Sequence, residues 1–366
     1  MLNDRIPMSE PYLGKEELEN VQEAVKTGWI SSNGHFVNEF ESAFAEYIGV
    51  KHGVSVCNGT AAIHLALAAL GVGKGDNVVL PSITSIACAN SVAYTGAKAV
   101  FADSDKDYWC ISPESIRKSI DDKTRAIMVV HLYGHSCDMD PIMEIAEEKS
   151  IPVIEDCAEA HGAEYKRRKV GTFGLINCFS FYGNKIITTG EGGMCLTNDT
   201  ELAERMGILK NQGTKPAYKN KYYYDTVGFN YRMTNIEAAL GLAQMSKLEY
   251  LIEQKRRIAK EYNKLFASSK NVTIAPEMPW AKNVYWYYSI LVRKELREKT
   301  MQELASRNIE SRPFFYPIHM LPHFKTDVEL ENAEYLGFSG INLPSGPQLT
   351  SQDIERVADA VQSVND

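Results

Sequence analysis

Short apolar runs and helical periodicity alternate along the first two thirds of the chain. The β-rich runs fall at 54–56, 78–80, 99–102, 126–130, 152–154, 178–181 and 194–197. Several are apolar throughout, as strands covered on both faces should be, and helical stretches separate the earlier ones. This predicts an α/β domain built on a mostly parallel, seven-stranded sheet. Ahead of it, Leu18, Val21 and Val25 stand at helical spacing and predict an amphipathic helix over 15–27. From Asn235 to Phe266 the pattern turns strongly helical, ending in the charged run EQKRRIAKEYNK of a long surface helix. Beyond it we expect a strand around 287–292, a helix around 298–307 and a last helix after Thr350, whose Thr350 and Asp353 make a capping-box start. The reading is two domains: 1–245 as a large α/β unit and 246–366 as a smaller α+β unit. The polar, aromatic stretch YKNKYYYD at 218–225 reads as a loop of the kind that lines sites.

Composition narrows the classes. With 366 residues and 44% apolar content, the chain can bury a large core. The formal net charge of −8 disfavours wide contact with nucleic-acid phosphates, and the short basic cluster at 166–169 reads as a solvated turn or helix surface. No basic stretch followed by an apolar run opens the chain, and nowhere do about 18 uncharged apolar residues follow one another. A cytoplasmic protein without a membrane span is expected. Seven cysteines without a CxxC pair, mostly inside apolar runs, suit a reducing compartment and argue against a structural zinc.

Three segments carry candidate chemistry. In SVCNGTAAIHLALAALG at 55–71, a strand ends at Asn58-Gly59-Thr60 and a helix begins at once. Free amides and the helix dipole there favour an anion such as phosphate, although an ordinary helix cap looks the same. In IPVIEDCAEAHG at 151–162, an apolar strand delivers Glu155 and Asp156 at its carboxyl end, where open α/β sheets bind ligands. Asp156 is placed to pair with the ring nitrogen of a pyridine cofactor and keep it protonated, with Glu159 near the ring hydroxyl; capping of the next helix is the plain alternative. In NCFSFYGNKIITTGEGGMCLT at 177–197, Lys185 is pinned in a turn between two β-rich runs. A lysine amine there is suited to a Schiff base with an aldehyde cofactor, and Ser180 to a hydrogen bond with phosphate. An isolated lysine would be read as surface.

Taken in order, these segments resemble the DegT/DnrJ/EryC1/StrS family of sugar aminotransferases, a branch of the fold-type I pyridoxal-phosphate enzymes. The likeness extends over nearly the whole chain: GWISSNG at 28–34, CNGTAAIHLAL at 57–67, HLYGHSCDMD at 131–140, EDCAEAHG at 155–162, VGTFG at 170–174, FSFYGNKIITTGEGGM at 179–194 and FNYRMTN at 229–235. It implies pyridoxal 5'-phosphate, with its pyridoxamine form between half-reactions, as cofactor. It assigns Lys185 as the Schiff-base lysine, Asp156 to the pyridine nitrogen, Glu159 to the ring hydroxyl, and Gly59, Thr60 and Ser180 to the phosphate. It further implies a homodimer in which Asn230 reaches the phosphate in the neighbouring subunit's site. Two positions depart from the family pattern. Glu159 replaces a common glutamine, and Ser85 stands where an aromatic residue usually stacks on the cofactor ring.

FSFYGNKIITTGEGGM together with ESRPFFYPIH at 310–319 and GINLPS at 340–345 resembles the branch that moves an amino group from L-glutamate to C4 of GDP-4-keto-6-deoxy-D-mannose, on the way to surface polysaccharide. Arg312, His319 and Trp29 are the substrate-contact candidates, against the plain reading that such aromatic and proline-rich stretches pack a core. Amination at C3 or C4 of a dTDP- or UDP-linked keto-sugar is the first alternative. A binding protein that kept the fold without turnover is the second.

Overall fold

A computed structural model describes residues 5–215, 222–224 and 226–366. The stretch at 218–225 lies outside the described residues except for 222–224, which are exposed. Among the described residues, nine strands belong to the first two thirds of the chain: β1 His52–Val56, β2 Asn77–Pro81, β3 Lys98–Ala102, β4 Thr124–Val130, β5 Val153–Asp156, β6 Glu164–Tyr165, β7 Arg168–Lys169, β8 Ile176–Ser180 and β9 Gly193–Thr197. Seven of them form one sheet in the order β1-β9-β8-β5-β4-β2-β3. Only β9 runs against the rest, pairing antiparallel with both β1 and β8. Every strand expected from the apolar runs is present.

Around the sheet lie α1 Lys15–Thr27, α2 His35–Ile48, α3 Gly59–Ala69, α4 Ile86–Tyr94, α5 Pro113–Ser119, α6 Met139–Lys149 and α7 Thr200–Lys210. β2, β4, β5 and β8 are almost wholly buried, which explains the apolar residues that fill most of β2 and β4 and open β5. β6 and β7 form a small hairpin that pairs with β11 Ala281–Lys282. The expected long helix is two, α8 Asn235–Met245 and α9 Leu248–Phe266, parted at Ser246 and Lys247. Lys247 turns its amine onto Glu17, 2.6 Å from each carboxylate oxygen. The smaller C-terminal part has a sheet ordered β10 Thr273–Ile274, β12 Tyr288–Leu291, β14 Gly340–Leu343 and β13 Arg312–Pro313, with α10 Lys294–Ser306, α11 Glu331–Ser339 and α12 Ser351–Asn365. Thr350 and Asp353 form the expected capping box on α12.

The face of α1 differs from its apolar pattern. Leu18 and Val25 are more than half exposed, while Glu17 and Ala24 are buried. Glu17 accepts from Gly14 N–H, Gln244 Nε2 and Lys247 Nζ, so a fully paired carboxylate, not a leucine, seats this helix beside α8.

Candidate active site

The carboxyl ends of the parallel strands gather the chemistry, and β5 shows how. Adjacent strand residues face opposite ways, so Glu155 and Asp156 serve different sides of the sheet. Glu155, fully buried, accepts from the amides of Gly171 at 2.8 Å, Phe173 at 2.6 Å and Gly174 at 2.6 Å, and meets His131 Nε2 at 2.9 Å. Burial pushes its pKa up, but His131 and these amides outweigh burial and hold it below the usual carboxylate value. It pins the turn 171–174. His131 Nδ1 in turn accepts from Cys137 N–H, so the grouping of His131, Glu155 and Cys157 is an anchoring network whose imidazole and carboxylate are already engaged. Glu155→Ala is expected to cost about 3–5 kcal/mol of stability by stranding these donors. That contribution is present above the unfolded carboxylate pKa and is lost as pH falls through the lower folded value, which thermal melts across acid pH will read.

Asp156 is different. It too is buried, yet among the described residues it takes only Ala158 N–H at 2.9 Å on Oδ1 and the Cys88 thiol at 3.1 Å on Oδ2. A carboxylate offers about four lone-pair sites, so this one has room for a cationic donor from the cavity it lines.

That cavity, about 450 Å³, is bounded by Asn58, Gly59, Thr60, Ser85, Asp156, Glu159, Ser180 and Lys185, with Trp286, Phe315 and Arg312 along another wall. Its size suits a small cofactor and part of a substrate. Lys185 sits in a turn closed by its own N–H on Tyr182 O, and its side chain is 10% exposed. The amine lies 3.8 Å from the centroid of the Trp286 ring and 4.0 Å from Glu159 Oε1. Burial lowers its pKa, against the opposing pull of Glu159 and Asp156. Burial raises Glu159 to about 7, with Lys185 pulling the other way.

The start of α3 also lines this cavity. Asn58 caps it by accepting from Ala61 N–H at 2.8 Å. The amides of Gly59 and Thr60, first in the helix, have no intrahelical acceptor. A Cβ on Gly59 would stand 2.7 Å from Ser180 Cβ and 3.0 Å from its Oγ, so glycine is what lets the helix start and the serine share one corner. Gly59→Ala is expected to cost about 1–3 kcal/mol of stability through this overlap. The same overlap should weaken phosphate binding at the corner, measured by thermal unfolding and cofactor titration.

The cavity thus fits pyridoxal phosphate on structural grounds. Its lining brings together unshared helix amides and a serine hydroxyl, an under-donated buried acid, and a buried amine. Ser85 lines the cavity as the cap of α4, accepting from Ala87 N–H, with no aromatic ring at that position. Arg312 lies along the wall, 6.0 Å from the Tyr287 ring centroid.

Two expected substrate contacts, His319 and Trp29, do not line this cavity, and neither does Asn230, whose expected place is a neighbouring subunit's site. His319 is buried in a short 3₁₀ turn, hydrogen-bonded through Nδ1 to Ser82 Oγ at 2.7 Å, so it braces the end of β2 instead of lining the cavity. Trp29 is 57% exposed, its carbonyl taken by Asn235 Nδ2. Asn230 is exposed and bridges to Asn211.

Several contributors escaped the sequence reading. Cys88 braces Asp156, Tyr133 donates its N–H to Glu159, and Trp286 forms the ring beside Lys185. Trp286 is fixed by its indole N–H on Asn184 O and by the buried Lys255, whose Nζ donates to Trp286 O and Ser345 O. Only Trp286 had a visible signal, the aromatic run VYWYY at 284–288.

Comparison with known proteins agrees with this geometry. Residues 11–362 match the model of the DegT/DnrJ/EryC1/StrS aminotransferase family. The chain is 46% identical, over 97% of both sequences, to the GDP-perosamine synthase of Escherichia coli O157:H7. Its fold matches the aminotransferase TlmJ of Streptoalloteichus hindustanus with a TM-score of 0.94 at 30% identity, covering 98% of each chain. It also matches Helicobacter pylori PseC, an aminotransferase involved in pseudoaminic acid biosynthesis, with a TM-score of 0.93 at 27% identity and 99% coverage of each.

Proposed function

The chain belongs to the DegT/DnrJ/EryC1/StrS aminotransferase family, and from that premise we propose that it moves the amino group of L-glutamate to C4 of GDP-4-keto-6-deoxy-D-mannose, giving 2-oxoglutarate and GDP-perosamine. The observation that carries the reaction type is the meeting of the Lys185 amine with the Asp156 and Glu159 carboxyls in one buried cavity. The sugar is argued from the likeness to the E. coli O157:H7 enzyme.

The cofactor is pyridoxal phosphate, which when bound supplies an aldehyde for the amine and a pyridine ring that draws off the electron pair left by a departing proton. The residues do the rest. Gly59 N–H, Thr60 N–H and Ser180 Oγ hold the phosphate, and Asp156 keeps the pyridine nitrogen protonated. Lys185, as a free amine, takes the proton from the α-carbon of glutamate, and in the second half-reaction returns one to C4 of the sugar. Trp286 and Phe315 cover the amine's side and exclude water.

The active unit we propose is a homodimer. Leu18, Val25, Trp29 and Ile30 leave apolar surface on α1 and the segment after it, a face a second copy would cover, and Asn230 stands exposed near the start of α8 to reach a neighbouring site. No helix among the described residues is long and apolar enough to cross a membrane. Nucleotide-sugar and glutamate as substrates, with seven free cysteines that suit a reducing compartment, support a cytoplasmic location.

The test is a panel of GDP-, dTDP- and UDP-linked keto-sugars with L-glutamate, followed by mass spectrometry. Amination of the GDP-linked 4-keto-6-deoxy sugar in preference to the others is expected. Turnover of a dTDP- or UDP-linked sugar alone would sink the substrate assignment and leave the cofactor chemistry standing.

A further inference from the structure

We propose that Lys185 and Glu159 share one proton, and that Glu159 takes it on Oε1 when Lys185 is required as a free amine. The proposal rests on Lys185 being the cofactor lysine. It goes beyond a contact between residue 159 and the ring hydroxyl, which a glutamine amide would supply equally well.

The geometry behind Glu159 singles out the oxygen. Tyr133 is bent into the left-handed region, φ 52° and ψ 17°, where a bulky side chain costs about 1–2 kcal/mol. The bend aims its N–H at Glu159 Oε2, 2.8 Å away. An N–H only donates, so Oε2 is committed as an acceptor and a proton on this carboxyl belongs on Oε1. Oε1 is the oxygen that faces Lys185 Nζ, at 4.0 Å, so direct transfer of the proton requires the lysine side chain to swing about 1 Å nearer. Both side chains are shut away from solvent, 10% and 5% exposed.

Among the described residues, Asp156, Cys88 and His161 face the lysine, and Asp156, Cys88, Cys110, Tyr133 and Tyr287 face the glutamate. His161 is fully buried, its pKa driven down by burial to about 3, so it carries no charge. Asp156 is turned to the cavity and to the ring nitrogen it would hold. Burial pushes the acid of Glu159 up and the amine of Lys185 down, bringing their proton affinities together. The step balances within the pair: one proton leaves the ammonium Nζ for Oε1, converting ammonium and carboxylate into amine and carboxylic acid.

Two probes test this on cofactor-free protein. The rate at which it captures added pyridoxal phosphate, read as visible absorption in a stopped-flow instrument, should rise with pH as the shared proton is lost. The infrared carbonyl band of a buried carboxylic acid should fade along that titration. A common midpoint for the two is the expected result, since the proton belongs to the pair. In Glu159→Gln the infrared band should be missing and the capture midpoint should fall by at least about one pH unit, because the charge that held a proton on Lys185 is gone. Glutamine keeps an oxygen for Tyr133 N–H, and a melting curve checks its fold. Midpoints that differ between the probes, absence of an acid band in the unmutated protein, or identical capture profiles in both proteins would overturn the proposal. Failure of the unmutated protein to capture pyridoxal phosphate would instead strike the cofactor assignment, and the infrared titration would still decide where the proton lies.

Discussion

Lys185→Ala should lower turnover by about 10²–10⁴-fold from loss of the base alone, and should abolish the visible absorption that the loaded protein shows. The reason lies in how little else the side chain does. Its amine rests over the Trp286 ring and 4.0 Å from Glu159 Oε1, contacts at the cavity wall. Removing it takes away the nucleophile that binds the aldehyde and the group that carries the proton, while the cavity walls stay in place. Lys185→Arg is the companion variant. It keeps a cation beside Glu159 but is always protonated, so it can neither attack the aldehyde nor accept a proton. Both variants should lose turnover to at least that extent, and arginine should preserve the melting temperature better. Turnover by Lys185→Ala within tenfold of the parent, measured in a glutamate-dependent assay, would remove this lysine from the mechanism.

Much of this site was legible because its parts hang on local patterns. An apolar strand that ends in two acids announces a sheet's carboxyl edge, and Asp156 is found there. A strand running through Asn-Gly-Thr into an alanine-rich helix announces an amide corner, and Gly59, Thr60 and Ser180 meet at it. A lysine between two β-rich runs was held by its turn where expected. What escaped depends on pairs distant in sequence. Cys88 meets Asp156 across 68 positions and Trp286 meets Asn184 across 102, and no local spacing encodes either contact. Tyr133 was hidden for another reason: its contribution is a backbone N–H in a strained turn, which its side chain does not advertise. His319 misled in the reverse direction. Its aromatic, proline-rich surroundings looked like a sugar site but pack it against Ser82. The helix α1 stands where its periodicity put it, but the face it turns inward in this chain was missed, because hydrophobic periodicity ignores a buried acid that brings its own partners, as Glu17 does.

Asp156→Asn should be the second most damaging change, and its signature should differ from that of the acid beside it. Asparagine has nearly the same shape and its carbonyl oxygen still accepts one of the hydrogen bonds, from Ala158 N–H or the Cys88 thiol, so the loop after β5 has reason to keep its course. What disappears is the negative charge. A buried carboxylate that pairs with a pyridinium stabilises the protonated ring, and leaving such a cation without its partner costs about 3–5 kcal/mol. Spread between cofactor affinity and the proton-transfer step, this is about 10²–10⁴-fold in kcat/KM for the keto-sugar. Glu155, one residue earlier, has its oxygens filled by three amides and an imidazole, so its replacement should lower the melting temperature and move the cofactor spectrum little. The two neighbours therefore make a matched pair. Spectral titration of bound cofactor against pH should shift in Asp156→Asn and not in Glu155→Gln, while thermal unfolding should report the opposite. A spectrum unchanged in Asp156→Asn would mean that the ring nitrogen is held by some other group, and the assignment of β5 as the cofactor strand would fall with it.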